Sequence, residues 1–153
     1  MSKHARPITI LMADDDPDDR MMTREAFEES RLANDLRFVE DGVELLDYLH
    51  RRGKYSDPAS SPRPGLILLD LNMPKKDGRE CLEEIKADPR LKNIRIVVLT
   101  TSKAEEDIFR TYYLSAASYI TKPVTFEGLV EVMKTVGKYW LEIVELPDAG
   151  GEG

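Results

Sequence analysis

The run Gly65-Leu66-Ile67-Leu68-Leu69 stops abruptly on Asp70, and Leu71-Asn72-Met73-Pro74-Lys75-Lys76-Asp77-Gly78 then gives way to turn residues. A second apolar run, Ile8-Thr9-Ile10-Leu11-Met12-Ala13, ends on Asp14-Asp15-Asp16, and a third, Ile96-Val97-Val98-Leu99, ends on Thr100-Thr101. Short apolar runs flanked by Gly and Pro suit strands buried on both faces, and open parallel sheets bind ligands beyond the carboxyl ends of their strands. Taken alone, Asp70 is better explained as a helix cap, or Asp77-Gly78 as a turn that is all that matters there. Three buried strands that all end in hydrophilic groups point instead to one shared site.

Two unit negative charges about 4 Å apart repel by roughly 4 kcal/mol at an effective dielectric near 20, so such a cluster needs compensation. Lys122, after the short run Ser118-Tyr119-Ile120-Thr121, offers one cation. A hard divalent ion offers more, and few carboxylates with room for water suit Mg2+, which prefers sites completed by phosphate oxygens. An aspartate beside Mg2+ and a lysine can act as a nucleophile on phosphorus. A phosphoryl group on Asp70 would add about −1.5 to −2 units of charge and strong acceptors, drawing in the Thr100 hydroxyl and the Lys122 ammonium.

The elements that must position these residues follow from patterning. Strand 1 spans about Ile8 to Ala13, and Asp16 and Pro17 read as N-cap and N1 of a helix that carries Met21, Met22, Ala26 and Phe27 to about Arg31. Leu36-Arg37-Phe38 alternates like a half-exposed edge strand, and Asp41-Gly42 turns into a helix with Val43, Leu45, Leu46 and Leu49. A surface loop rich in Pro, Ser and Gly covers Gly53 to Gly65. After the Asp70 strand come a helix over Gly78 to Ala87, closed by Asp88-Pro89, and a strand over Ile94 to Leu99. Ser102-Lys103-Ala104-Glu105 has capping-box form and opens a helix with Ile108, Phe109, Tyr112 and Tyr113. The fifth strand, Ser118 to Thr121, leads to a last helix over about Phe126 to Val144 whose main stripe leaves Val132 and Tyr139 aside. Five strand–helix repeats predict an α/β, flavodoxin-like, doubly wound five-stranded parallel sheet of order 2-1-3-4-5 with helices on both faces. That order makes strands 1 and 3 neighbours and brings Asp14 and Asp15 to Asp70.

Bulk composition narrows the function classes. With 153 residues and 41% hydrophobic content the chain suits one domain, over 1–147, followed by a disordered tail at 148–153. A formal charge of −7 argues against a nucleic-acid surface. The single cysteine, Cys81, excludes an internal disulfide, and His4 and His50 are too few and too far apart for a zinc site. With no signal-like segment and no membrane-length apolar run, the expected location is cytoplasmic.

These residues bring the chain to a family it resembles over about 8–140: the receiver domains of two-component response regulators. Asp14-Asp15 is similar to the family's acidic pair, Asp70-Leu71-Asn72-Met73-Pro74 with Asp77-Gly78 to its phosphoacceptor loop, Thr100 to its switch hydroxyl, Tyr119 to its switch aromatic and Lys122-Pro123 to its lysine and cis-proline. The resemblance implies Asp70 as phosphoacceptor, with Mg2+ held by Asp15, Asp70, the backbone carbonyl of Asn72 and, through water, Asp14. It implies Thr100, Lys122 and Tyr119 as phosphate-binding and switch residues, a cis peptide between Lys122 and Pro123, and a sensor histidine kinase as donor. Output would be through phosphorylation-controlled protein interaction, and catalysis would be limited to the chain's own phosphorylation and dephosphorylation.

Asp41-Gly42-Val43-Glu44, Tyr48 to Tyr55, Thr100-Thr101-Ser102 and Trp140 to Pro147 further resemble the stand-alone regulators of phytochrome-type kinases. That narrower resemblance implies a homodimer through the fourth and fifth helices, with Phe109, Tyr113, Val132 and Tyr139 as candidate face residues. Two departures stand out: Asp16 where relatives often have Asn, and Ala116-Ala117 where Gly-Ala is frequent.

Other chemistries compete on spacing. Asp14, Asp16 and Asp18 with Glu25 mimic a calcium loop, but Asp19 occupies the glycine position and a strand precedes it. A metal-binding pseudo-receiver without phosphotransfer is one alternative. An aspartate-nucleophile phosphatase is another, although Asp18 stands where Thr or Val is expected and no cap domain is present. A flavin protein of this fold would want a Ser/Thr/Gly phosphate loop where acids stand here.

Overall fold

A computed structural model describes residues 8–30, 34–100 and 118–137. The described elements are β1 (Thr9–Ala13), α1 (Pro17–Glu29), β2 (Asp35–Val39), α2 (Gly42–His50), β3 (Pro64–Asp70), α3 (Gly78–Ala87), β4 (Arg95–Thr100), β5 (Ser118–Thr121) and α4 (Phe126–Val136). Two short 3-10 turns, Gly53–Tyr55 and Pro58–Ser60, punctuate the loop before β3. The helix expected to begin at Ser102 lies outside the described residues.

All five strands run parallel in the order β2-β1-β3-β4-β5. Period-2 alternation in the central strands divides their side chains between two faces. Leu11, Ile67, Leu69, Ile96 and Val98 pack with Leu45, Leu49, Leu82 and Ile85 of α2 and α3. On the opposite face Ile10, Met12, Leu66, Leu68, Val97 and Leu99 pack with Ala26 and Phe27 of α1 and Val130, Met133 and Val136 of α4. Burial on both sides explains why β3 reads as an unbroken apolar run.

Helix starts follow the caps. Asp16 accepts the Asp18 N–H at 2.9 Å and Pro17 sits in the first turn of α1, as the sequence predicts. Asp77, expected only as a turn, closes a full capping box with Glu80 at the start of α3. α1 ends at Glu29, slightly earlier than expected, where the Ser30 hydroxyl bonds the Ala26 carbonyl and competes with a further turn.

One expectation is corrected. Among the described residues there is no cis peptide, so the Lys122–Pro123 bond is trans rather than cis. Trans is the lower state for X–Pro bonds by about 0.5–1 kcal/mol, and the β5–α4 connection accommodates it. Val132, a candidate dimer contact, is half-buried and packs against the core shared by α1 and α4, with part of its side chain still exposed. Phe109, Tyr113 and Tyr139 lie outside the described residues.

Candidate functional site

Strand register places the polar ends side by side. Ala13 pairs with Leu69 and Asp70 with Leu99, so Asp14, Asp70 and Thr100 emerge at one edge of the sheet. Thr100 in turn pairs with Thr121, immediately before Lys122. The Asp14 N–H bonds the Val39 carbonyl at 3.1 Å and the Leu71 N–H bonds the Leu99 carbonyl at 3.2 Å, which extends the ladders one step past the strands. The acids are thus carried on continuations of a rigid sheet.

The three consecutive aspartates have separate tasks. Asp14 is fully buried, and one of its oxygens accepts the Asp16 N–H at 2.9 Å while the other faces Lys122. Asp15 is exposed. Asp16 caps α1 and has little freedom to reach the cluster. Oxygens of Asp14, Asp15 and Asp70 lie within 4.8 Å of one another. An all-oxygen set with one exposed member suits a hard divalent cation that retains water, so these residues fit Mg2+ or Mn2+.

Lys122 is the counterion. Its ammonium donates to Asp19 at 2.9 Å, Asp14 at 3.0 Å and Asp70 at 3.3 Å. Burial pulls that ammonium down, but the hydrogen bonds and charges of Asp19, Asp70 and Asp14 outweigh it, and the group is held above the ordinary lysine range. Asp14 is raised, first by burial, with the Asp16 N–H and Lys122 opposing. Asp70, only 3% exposed, is pushed up to about 6 by burial, with Lys122 opposing and the Asp14 charge adding to the rise.

The loop carrying Asp70 is tightly built. The Asn72 N–H donates to the Asp70 carboxylate at 3.2 Å. Lys75 adopts φ 70 while the Lys76 N–H bonds the Pro74 carbonyl at 2.7 Å, the form of a strained three-residue turn. Gly78 follows because a Cβ there would lie 2.5 Å from the Asp70 carbonyl oxygen.

Of the residues singled out in the sequence, Asp14, Asp15, Asp70 and Lys122 converge, Asn72 adjoins them through its N–H, and Thr100 and Tyr119 are placed by strand register alone. Asp19 was not anticipated. Its only local signal is its position in the first turn of a helix that starts at the acidic strand end. Nor was the contact of Arg20 with the Asp14 carbonyl at 2.8 Å, or the Tyr55 hydroxyl bond to Glu44 at 2.5 Å, which ties the loop before β3 to α2.

Comparison with known proteins agrees with this geometry. The family model for the response regulator receiver domain matches residues 10–134. Response regulator Rcp1 of Synechocystis is 42% identical over 143 residues, covering 94% of this chain and 95% of its own length. The structure of the phosphorylated cyanobacterial phytochrome response regulator RcpA superposes with a TM-score of 0.79 at 43% identity, covering 90% of this chain and 96% of RcpA. The Mn2+-bound form of Rcp1 gives a TM-score of 0.77 at 41% identity, covering 89% and 96% respectively. No described helix is long and apolar enough to cross a membrane.

Proposed function

The chain belongs to the response regulator receiver domain family, and from that premise we propose that it takes a phosphoryl group onto Asp70 from a sensor histidine kinase of the phytochrome type. The observation that carries this reading is the carboxylate of Asp70, buried at the end of β3 with Lys122 at 3.3 Å and the oxygens of Asp14 and Asp15 nearby. Similarity to a phosphorylated phytochrome regulator and to a Mn2+-bound one supports both the input and the ion.

Asp15, Asp70, the Asn72 carbonyl and, through water, Asp14 would hold Mg2+. When bound, the ion supplies charge stabilisation to the oxygens of the transferring group. The chain's own residues do the rest. An Asp70 oxygen attacks phosphorus, and the bond from phosphorus to the donor's histidine nitrogen breaks, that nitrogen keeping the electron pair. The loop bond from the Asn72 N–H holds the Asp70 carboxylate in place, while the Lys122 ammonium neutralises charge on the phosphoryl oxygens. Thr100 and Tyr119 are the switch residues of this reading. The chain is a cytoplasmic signalling module whose catalysis is confined to its own phosphorylation and dephosphorylation, and whose output is protein interaction, with a homodimer through the face of the helices before and after β5.

The test is intact mass after incubation with acetyl phosphate, with Mg2+ and with EDTA, for the native chain and Asp70→Asn. The expected result is a Mg2+-dependent gain of one phosphoryl group by the native chain and none by the variant. A gain that persists in Asp70→Asn would reassign the acceptor, and no gain by the native chain would leave a metal-binding module without phosphotransfer.

A further inference from the structure

We propose that Asp19 is a positioning residue that holds Lys122 back in the resting state, so that phosphoryl acceptance requires the Asp19–Lys122 bond to open. This rests on Asp70 being the phosphoacceptor. An ammonium has three N–H donors, and those of Lys122 are all committed to carboxylates. Its shortest contact is to Asp19 at 2.9 Å and its longest to Asp70 at 3.3 Å. Asp19 projects from the first turn of α1, whereas Asp14 and Asp70 stand at strand ends, so the resting ammonium is drawn toward the helix.

An incoming phosphoryl oxygen can take a Lys122 N–H only if one of these bonds gives way. The Asp14 side chain is wholly buried, so bulk solvent does not replace a donor lost there. The Asp19 side chain is 34% exposed, so its carboxylate rehydrates when released. Of the two partners other than the acceptor itself, that makes Asp19 the one that yields. A cavity of about 40 Å3, lined by Asp14, Asp19, Met22, Thr23, Lys122 and Met133 among others, lies beside the contact and gives the side chains room to rearrange without opening the core.

The rate of phosphorylation by acetyl phosphate tests this, measured in Mg2+ for the native chain and for Asp19→Asn, Asp19→Glu and Asp18→Asn. In each case an Asp70 oxygen bonds to phosphorus and acetate leaves with the electrons of its P–O bond. Asp18 shares the first turn of α1 and is exposed, so Asp18→Asn removes the same charge from the same helix end without touching Lys122. Freeing a half-exposed ion pair is expected to speed Asp19→Asn by about fivefold. Asp19→Glu, which restores the carboxylate, is expected to return to near the native rate, and Asp18→Asn to stay there. If the native chain is phosphorylated but Asp19→Asn matches Asp18→Asn, or is slower than native, the inference is overturned while the receiver reading stands. If the native chain gains no phosphate, both fall.

Discussion

In the proposed phosphotransfer Asp70 must be ionised to attack phosphorus, yet it is 3% exposed and its proton is held up to about 6, chiefly by burial, with Lys122 opposing and Asp14 reinforcing. It is therefore a carboxylate at neutral pH, but a costly one. Because the folded chain binds this proton more tightly than the unfolded chain, the stability Asp70 contributes is fully present below the ordinary carboxylate range and is lost as pH rises through about 6. Asp70→Asn does not titrate. In EDTA it is expected to be more stable than the native chain by about 1–3 kcal/mol at pH 7, the difference opening between about pH 4 and 6 and closing in more acidic buffer. Chemical denaturation across that range measures it, and a difference independent of pH would show that burial does not set the Asp70 proton. Asp70 and Asp14 were legible in the sequence because each ends an apolar run, and Lys122 because it follows the short fifth strand. Asp19 was not, because its importance comes from which way the first turn of α1 faces a residue on the far strand, and no local pattern encodes that.

At the scale of elements, the β3–α3 loop decides whether a buried strand end becomes a usable site. Its geometry is fixed by the Gly78 N–H bond to the Leu71 carbonyl at 2.9 Å and by the Asp77–Glu80 capping box immediately beside it. Gly78 is needed for space: an added Cβ would come 2.5 Å from the Asp70 carbonyl oxygen and 2.9 Å from the Leu71 Cα, both backbone atoms that cannot turn aside. Gly78→Ala is therefore expected to destabilise the fold by about 1–3 kcal/mol, and to weaken divalent-ion binding because the displaced backbone is the one that carries Asp70. Thermal unfolding and ion titration together read this. Loss of stability with ion affinity untouched would mean the strain is absorbed on the α3 side instead. The sequence showed the turn at Asp77-Gly78 but left its second function unread, although the Asp77-x-x-Glu80 spacing carried the signal for a capping box. Val132 shows a different limit: it lies off the main stripe yet is half-buried against the core, because helical periodicity marks the centre of an apolar stripe while its width depends on how deeply α4 sits between α1 and the sheet.

At the scale of the molecule, the parallel order β2-β1-β3-β4-β5 gathers acids from β1, β3 and α1 and a lysine after β5 at one sheet edge, and the unfolded chain has no equivalent constellation. An ion that binds only this assembled set stabilises the whole fold by mass action, by about 2.7 kcal/mol at a hundredfold excess over its Kd. For a chain of this size that corresponds to a rise in Tm of roughly 5–10 °C. The formal charge of −7 means that general screening must be separated from site binding. Asp15 makes that separation possible, because it is exposed while Asp14 and Asp70 are buried. Asp15→Asn is expected to leave the ion-free Tm within about 1–2 °C of native, since surface substitutions usually change stability by no more than about 0.5 kcal/mol. It is expected to lose most of the rise produced by Mg2+ or Mn2+, while sodium chloride at matched ionic strength reproduces little of it in either chain. Scanning calorimetry of both chains in the two salts decides the matter: equal rises in native and Asp15→Asn would show that the ion screens the acidic surface as a whole rather than bridging the ends of β1 and β3.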